Sequence, residues 1–191
     1  MTIHTFGDSH SNFPVKNVRT HHLGPRLCNS IGRDGISIKT GFDVNEGDTV
    51  IFCFGEIDCR CHIHRFAEDS DYKSVIDFVV VKYFKKISIA VNEITNLKVA
   101  IYNVVPTVQK NTVREHPMYP FIGSDEERKK YVLYFNEKLK EKCLEYNYIF
   151  FDVYDKYTDE NGFLNKSLSD GTLHIGNGKY ISEFIDKYGL K

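Results

Sequence analysis

The sequence lacks an excess of either charge: 25 Lys and Arg stand against 26 Asp and Glu in 191 residues, a formal net charge of −1. Bulk attraction to nucleic acid or to an anionic membrane needs a basic surplus, and basic runs here are as short as Lys85-Lys86 and Lys129-Lys130. Neither nucleic acid nor membrane is therefore expected as a partner. Long apolar runs are also missing: no stretch approaches the roughly 20 apolar residues of a membrane span. Residues Met1 to Phe6 lack the charged and apolar regions of an export signal, so a cytoplasmic location is expected. Cysteines are few and odd in number, at Cys28, Cys53, Cys59, Cys61 and Cys143, in a chain large enough not to need disulfide staples. Reduced thiols are the simpler reading. There is no tryptophan, no internal repeat and no low-complexity linker. A single domain spanning residues 1–191 and large enough for a real core is expected.

What is present alternates between strand-like and helix-like patterns. Thr2 to Phe6 reads as a short strand ending at Gly7. Arg26 to Ile31 reads as a short helix closed by Gly32. The apolar run Thr49 to Phe54, after Gly47-Asp48 and before Gly55, suits a strand buried on both faces of a parallel sheet. From Ser70 to Ile94 the residues Ile76, Val80, Tyr83, Ile87, Ala90 and Ile94 recur at helical spacing. Lys98 to Val105 is a further buried strand, stopped by Pro106, and the polar loop Thr107 to Gly123 is long enough to wall a binding site. Ser124 with Glu127 forms a capping box opening a helix with Val132, Phe135, Leu139 and Cys143 on one face. Tyr148 to Val153 is the last strand, and Asn177 to Tyr188 a final helix ended by Gly189. This alternation predicts an α/β fold, a three-layer α/β/α sandwich around a mostly parallel sheet, with functional groups at the carboxyl ends of the strands. Ser9, Glu56 and Asp58, Asn103 and Asp152 fall at such ends.

Two short motifs carry the chemistry: Gly7-Asp8-Ser9-His10 after the first strand, and Asp170-Gly171-Thr172-Leu173-His174 before the last helix. A serine hydroxyl is a poor nucleophile at neutral pH. It needs an imidazole within about 2.6–3.2 Å to take its proton, and a carboxylate to fix the imidazole tautomer. Ser9, His174 and Asp170 supply those three groups. Asp8 reads as a cap for the turn around Ser9.

These residues resemble the SGNH, or GDSL, hydrolase superfamily, and the resemblance runs along nearly the whole chain in order. It implies a flavodoxin-like α/β/α sandwich, acyl transfer or hydrolysis without a cofactor, Ser9 as nucleophile, His174 as base and Asp170 as its orienter. The family's oxyanion hole uses the nucleophile's N–H, a glycine N–H and an asparagine side chain; Gly24 in His22-Leu23-Gly24-Pro25 matches the glycine. The chain departs from the pattern twice. Three residues rather than two separate Asp170 from His174, and the third block reads Gly55-Glu56-Ile57-Asp58, with Ile57 in place of the asparagine. An apolar side chain cannot donate to an oxyanion, and losing one such donor costs about 2.7–4 kcal/mol of transition-state stabilisation. Asn103, Arg60 or a histidine is then expected to serve. A Gly-Glu-x-Asp block resembles some carbohydrate esterases, and Gly-Asp-Ser-His resembles carbohydrate O-acyltransferase domains. Together they imply a small O-acylated substrate, an acetylated carbohydrate or glycan. The alternative is an impaired, glycan-binding or interaction module on the same scaffold.

The densest polar cluster is Gly55 to Arg65. Cys59, Cys61, His62 and His64 are zinc-type ligands, but Cys-x-Cys-His-x-His lacks the paired spacings of closed structural sites, and alternate residues of an extended segment face apart; no metal is expected. Gly55, Glu56, Asp58, Arg60 and Asn103 join Gly24 as oxyanion or substrate-binding candidates, with His62 and Arg65 on the rim. The competing reading is an internal salt-bridge network. His21 and His22 precede Gly24, within reach of a substrate or simply solvated. Ile57 is expected in the core, and Tyr119, Phe121, Tyr154 and Tyr157 are placed to stack on a sugar ring.

Overall fold

The computed structural model describes residues 1–67 and 71–191. Five parallel strands form one sheet: β1 (Ile3–Gly7), β2 (Val18–His22), β3 (Thr49–Cys53), β4 (Lys98–Tyr102) and β5 (Ile149–Phe151), in the order β2-β1-β3-β4-β5. Alternation along the strands fills both faces. Phe6, Val50, Phe52 and Ile101 point into a core closed by α1 (Cys28–Asp34), α3 (Tyr72–Val91) and α4 (Asp125–Tyr146). Ile51, Cys53, Ala100 and Tyr102 point the other way, under α5 (Lys179–Lys187) and the loops after β4 and β5. This is the three-layer α/β/α arrangement with a parallel sheet. The chain leaves β1 for β2 on one side and then crosses to β3 on the other. The strand order thus reverses at the carboxyl ends of β1 and β3, where ligand sites form in open parallel sheets.

Most elements lie where the sequence places them, within one to four residues. The α4 capping box is formed: Glu127 N–H donates to Ser124 Oγ (3.2 Å) and Ser124 N–H to Glu127 Oε2 (2.8 Å). Three elements differ, and the start of a fourth is not described. Strand β2, Val-Arg-Thr-His-His, was not expected; it is a half-exposed edge strand with no apolar face to signal it. Helix α1 does not stop at Gly32, whose missing side chain lets the helix lie against Lys82 and Tyr83 of α3, but at Gly35. Residues 58–67 are not extended: a π-helical turn Asp58–His62 runs into α2 (Ile63–Ala67). The expected helix start at Ser70 lies outside the described residues, and α3 begins at Tyr72.

The segment before α5 is held tightly against the loop after β1. A Cβ on Gly178 would lie 2.1 Å from the Pro14 carbonyl oxygen, so only glycine permits this approach. The Tyr157 hydroxyl donates to the Asn177 carbonyl (2.7 Å), and Ser169 pairs with Ile175 across the intervening turn. Gly178→Ala is expected to destabilise the fold by about 1–3 kcal/mol through overpacking. A urea titration would then show a lower midpoint at unchanged slope; an unmoved midpoint would contradict the tight contact.

Candidate active site

Three groups from the two ends of the chain meet at the carboxyl edge of the sheet. Ser9 opens a short 3-10 turn after β1, and the carboxylate of Asp8, 1% exposed, caps that turn by accepting from the His10 N–H (2.8 Å). The Ser9 hydroxyl is exposed and stands 2.8 Å from His174 Nε2. His174 Nδ1 faces Asp170 Oδ2 at 3.3 Å and Thr172 Oγ1 at 2.9 Å. Burial, reinforced by the neighbouring His10, holds the His174 imidazole below its ordinary pKa despite the Asp170 charge. Burial works against the Asp170 carboxylate, but hydrogen bonds from Thr172 and the nearby His174 outweigh it and keep the carboxyl below its usual range.

His10 forms a second histidine–aspartate pair beside the first. Its Nδ1 is 2.9 Å from Asp8 Oδ1, and its ring lies 4.8 Å from that of His174, tilted against it. Burial opposes its charge, yet the Asp8 carboxylate prevails and raises the His10 pKa. Asp8, His10, Glu56 and Asn103 line a small cavity of about 10 Å³ at the ends of β1, β3 and β4.

The remaining predicted residues divide between the site and its supports. Gly24 follows β2 in a left-handed conformation (φ 74°), next to the Leu23 N–H that donates to the Gly7 carbonyl (2.8 Å). The Gly24 N–H and the Ser9 N–H donate to no described residue. Gly55 instead performs a packing role: at φ 113° it lets Val104 and Phe135 approach the end of β3. Asp58, fully buried, accepts from the N–H groups of Cys28 (2.7 Å) and Asn29 (3.1 Å), capping α1 from across the fold; it is sealed from any substrate. Asn103 is also a strap rather than an oxyanion donor, since its Oδ1 accepts from the Val153 N–H (2.9 Å) and its amide donates to the Val104 carbonyl (2.9 Å). Arg60 pairs with Glu56 (3.2 Å), both buried, and its guanidinium lies over the Phe121 ring at 5.5 Å. Burial pushes the Glu56 carboxyl up, and Arg60 offsets part of that shift. Arg60 and Asn103 are both buried, Asn103 with its oxygen and amide engaged, and Ile57 is buried in the core.

The peripheral candidates are placed as follows. Phe121, Tyr154 and Tyr157 are buried and cannot stack on a sugar, whereas Tyr119 is half exposed. His21 Nε2 lies 2.9 Å from His4 Nδ1 in a chain that continues to Asp48, and His22 is exposed at the end of β2. His62 lines a groove with Phe66 and Phe78, and Arg65 is exposed. His64 bonds the Tyr131 hydroxyl (3.0 Å), the Cys61 thiol donates to the Ile57 carbonyl (3.3 Å), and Cys59 is buried in the core. Among the described residues no group of three His, Cys, Asp or Glu side chains is arranged to hold a metal, and all five cysteines are free and buried. No described helix is long and apolar enough to cross a membrane. Sequence reasoning passed over His10 and Thr172 as site residues, although both sit inside the two motifs.

No protein-family model matches the chain, and no curated protein sequence does. Solved structures do. A GDSL-like lipase from Bacteroides thetaiotaomicron shares 15% identity over 99% of this chain and 87% of its own, with a TM-score of 0.63. The aryl esterase of M. smegmatis shares 13% over 100% and 99%, with a TM-score of 0.54. The OSK domain of Drosophila Oskar shares 13% over 96% and 86%, with a TM-score of 0.59. The fold is therefore that of the SGNH/GDSL hydrolases.

One support of the site is open to a direct pH test. Burial raises the Asp58 carboxyl to about 7, against its hydrogen bonds from α1. Folded protein thus holds a proton there that the unfolded chain releases near 3.8, so stability from this group is lost as pH rises from about 4 through 7. Asp58→Asn removes the titration, and the variant's stability relative to wild type should rise across that window. Denaturation curves that run parallel from pH 4 to 8 would contradict the shift.

Proposed function

We propose that this chain is a serine-dependent acyl-ester hydrolase or acyltransferase acting on a small O-acylated substrate, an acetylated carbohydrate being the preferred class. The observation that carries the reading is the 2.8 Å approach of His174 Nε2 to the exposed Ser9 hydroxyl. That is the handoff distance a general base needs. Ser9 Oγ attacks the ester carbonyl while His174 Nε2 takes its proton, and Asp170 steadies the imidazolium. The N–H groups of Ser9 and Gly24 receive the oxyanion. His174 then returns the proton to the leaving alcohol, and water, or a sugar hydroxyl in the transferase variant, resolves the acyl-enzyme.

The neighbouring lipase and esterase folds favour ester chemistry in general. The preference for a short acyl group and a hydroxyl-rich alcohol rests on the surroundings of the three groups. A groove of about 160 Å³ reaches Gly171 and Thr172, and its lining mixes Gln109, Thr112, Asp159 and Lys166, which suit sugar hydroxyls, with the apolar Val108, Val113, Phe163 and Leu164. The larger grooves, about 650, 430 and 360 Å³, are lined by residues outside the Ser9 constellation. The buried Ile57, which leaves the oxyanion with two backbone donors, favours the second reading: a binding module that has lost its chemistry.

Turnover of p-nitrophenyl acetate separates the two. The enzyme reading expects Ser9→Ala and His174→Ala each to lower kcat by about a thousandfold or more, and acetate esters to be preferred to octanoate. Equal background rates for wild type and Ser9→Ala would leave only the binding module. Because His174 acts as a base when neutral and its pKa lies below the ordinary 6.5, kcat/KM should fall in acid with a midpoint below 6.5. A midpoint above that value would contradict the assignment of His174.

A further inference from the structure

The additional residue between Asp170 and His174 puts a hydroxyl in the line between them. The Thr172 N–H donates to Asp170 Oδ1 at 2.9 Å, and Thr172 Oγ1 stands 2.5 Å from the same oxygen. That hydroxyl oxygen is also 2.9 Å from His174 Nδ1, closer than the 3.3 Å from Nδ1 to Asp170 Oδ2. An ionised carboxylate can only accept, so the hydroxyl proton points at Asp170. The lone pairs of Thr172 Oγ1 are then available to a donor, and His174 Nδ1–H is the donor in reach. A proton fixed on Nδ1 leaves Nε2 as the bare acceptor toward Ser9 Oγ, the tautomer a general base requires.

We infer that Thr172 is a positioning residue, relaying the hold of Asp170 on His174 through a chain in which His174 Nδ1–H donates to Thr172 Oγ1 and Thr172 Oγ1–H donates to Asp170 Oδ1. The turn Asp170 to His174 closes on itself through the Asp170 N–H to His174 carbonyl bond (3.0 Å), which sets the hydroxyl between carboxylate and ring. No proton leaves the chain. When Nε2 takes the serine proton, the Nδ1–H bond becomes charge-assisted and its acceptor is polarised by the carboxylate behind it. The other charged or titratable groups bearing on His174 are His10 and Asp8 from the loop after β1, and a change at Thr172 leaves both in place.

For its kinetic consequence the inference rests on the esterase reading; for the tautomer it does not. The test therefore has two arms, ¹⁵N NMR of the His174 ring without substrate and esterase kinetics, on wild type, Thr172→Val and Thr172→Ser. Thr172 is exposed, and the isosteric valine keeps the carboxylate at its present distance. The valine variant should lose the Nδ1–H preference of the neutral ring. Its imidazolium, deprived of an acceptor, should titrate at lower pH than wild type. Its kcat should fall about 10- to 100-fold, the worth of one charge-assisted hydrogen bond, with KM within about twofold, and serine should restore both readouts. A valine variant with the wild-type tautomer and titration overturns the relay, as does a serine variant no better than valine. Should wild type show no turnover, the esterase reading fails and the NMR arm alone decides on Thr172.

Discussion

The site depends on the packing of residues 169–178 against the loop that follows β1. Ser9 and His174 are 165 residues apart in the chain, yet their side chains are in hydrogen-bond contact. Two independently anchored segments bring this about. Ser9 hangs from β1, whose register against β2 and β3 is fixed by hydrogen bonding on both sides. His174 is set by the turn closed between Ser169 and Ile175, by the Tyr157 hydroxyl on the Asn177 carbonyl, and by the side-chain-free approach of Gly178 to Pro14. Helix α5 completes the clamp, with the Phe184 ring stacked on Phe151 of β5 at 4.0 Å. A core contact at one edge of the sheet thus helps hold the His174 ring over the Ser9 hydroxyl.

Polar and charged side chains, most of them buried, cluster near the contact between Ser9 and His174. Asp8 with His10, Glu56 with Arg60, and Arg128 with Asp125 form ion pairs close to the sheet's carboxyl edge, and Asp58 caps α1. Such pairs contribute little net stability once desolvation is subtracted, but breaking one leaves an uncompensated buried charge. Here they tie loops to one another. Asp58 joins the end of β3 to the start of α1, and through it to the Gly24 loop; Arg60 and Arg128 both lie over the Phe121 ring, anchoring the long segment after β4. The residues read as possible substrate contacts in the Gly55 to Arg65 cluster are therefore mostly the frame that positions others.

What the sequence discloses follows the strength of local signals. The buried strands β3 and β4 and the capped helix α4 are legible because continuous apolar runs and a Ser-x-x-Glu box have few alternative readings. The meeting of Ser9 with His174 is legible through motif order, since a serine in the loop after the first strand and a histidine before the last helix both fall on the same sheet edge in a doubly wound fold. Strand β2 is hidden because an edge strand with polar side chains has no period to detect. The helical course of residues 58–67 is hidden because a π turn of Asp, Cys, Arg, Cys and His has no helical stripe. Asn103 and Asp58 look like chemistry in the sequence because a polar residue at a strand end has the same signature whether it faces a substrate or straps two loops. The difference lies in the partners: Asn103 accepts from Val153 N–H, and Asp58 from the N–H groups of Cys28 and Asn29.

Fold likeness alone leaves activity open, since the neighbours at 13–15% identity include an esterase, a lipase and the OSK domain. Ester chemistry at this site requires that His174 activate the Ser9 hydroxyl. Its most direct measurement is intact-mass and peptide mapping after exposure to a fluorophosphonate, which modifies only a serine whose proton has somewhere to go. A single adduct on Ser9 that disappears in His174→Ala is the predicted result. An unmodified Ser9, or labelling indifferent to His174, would contradict it.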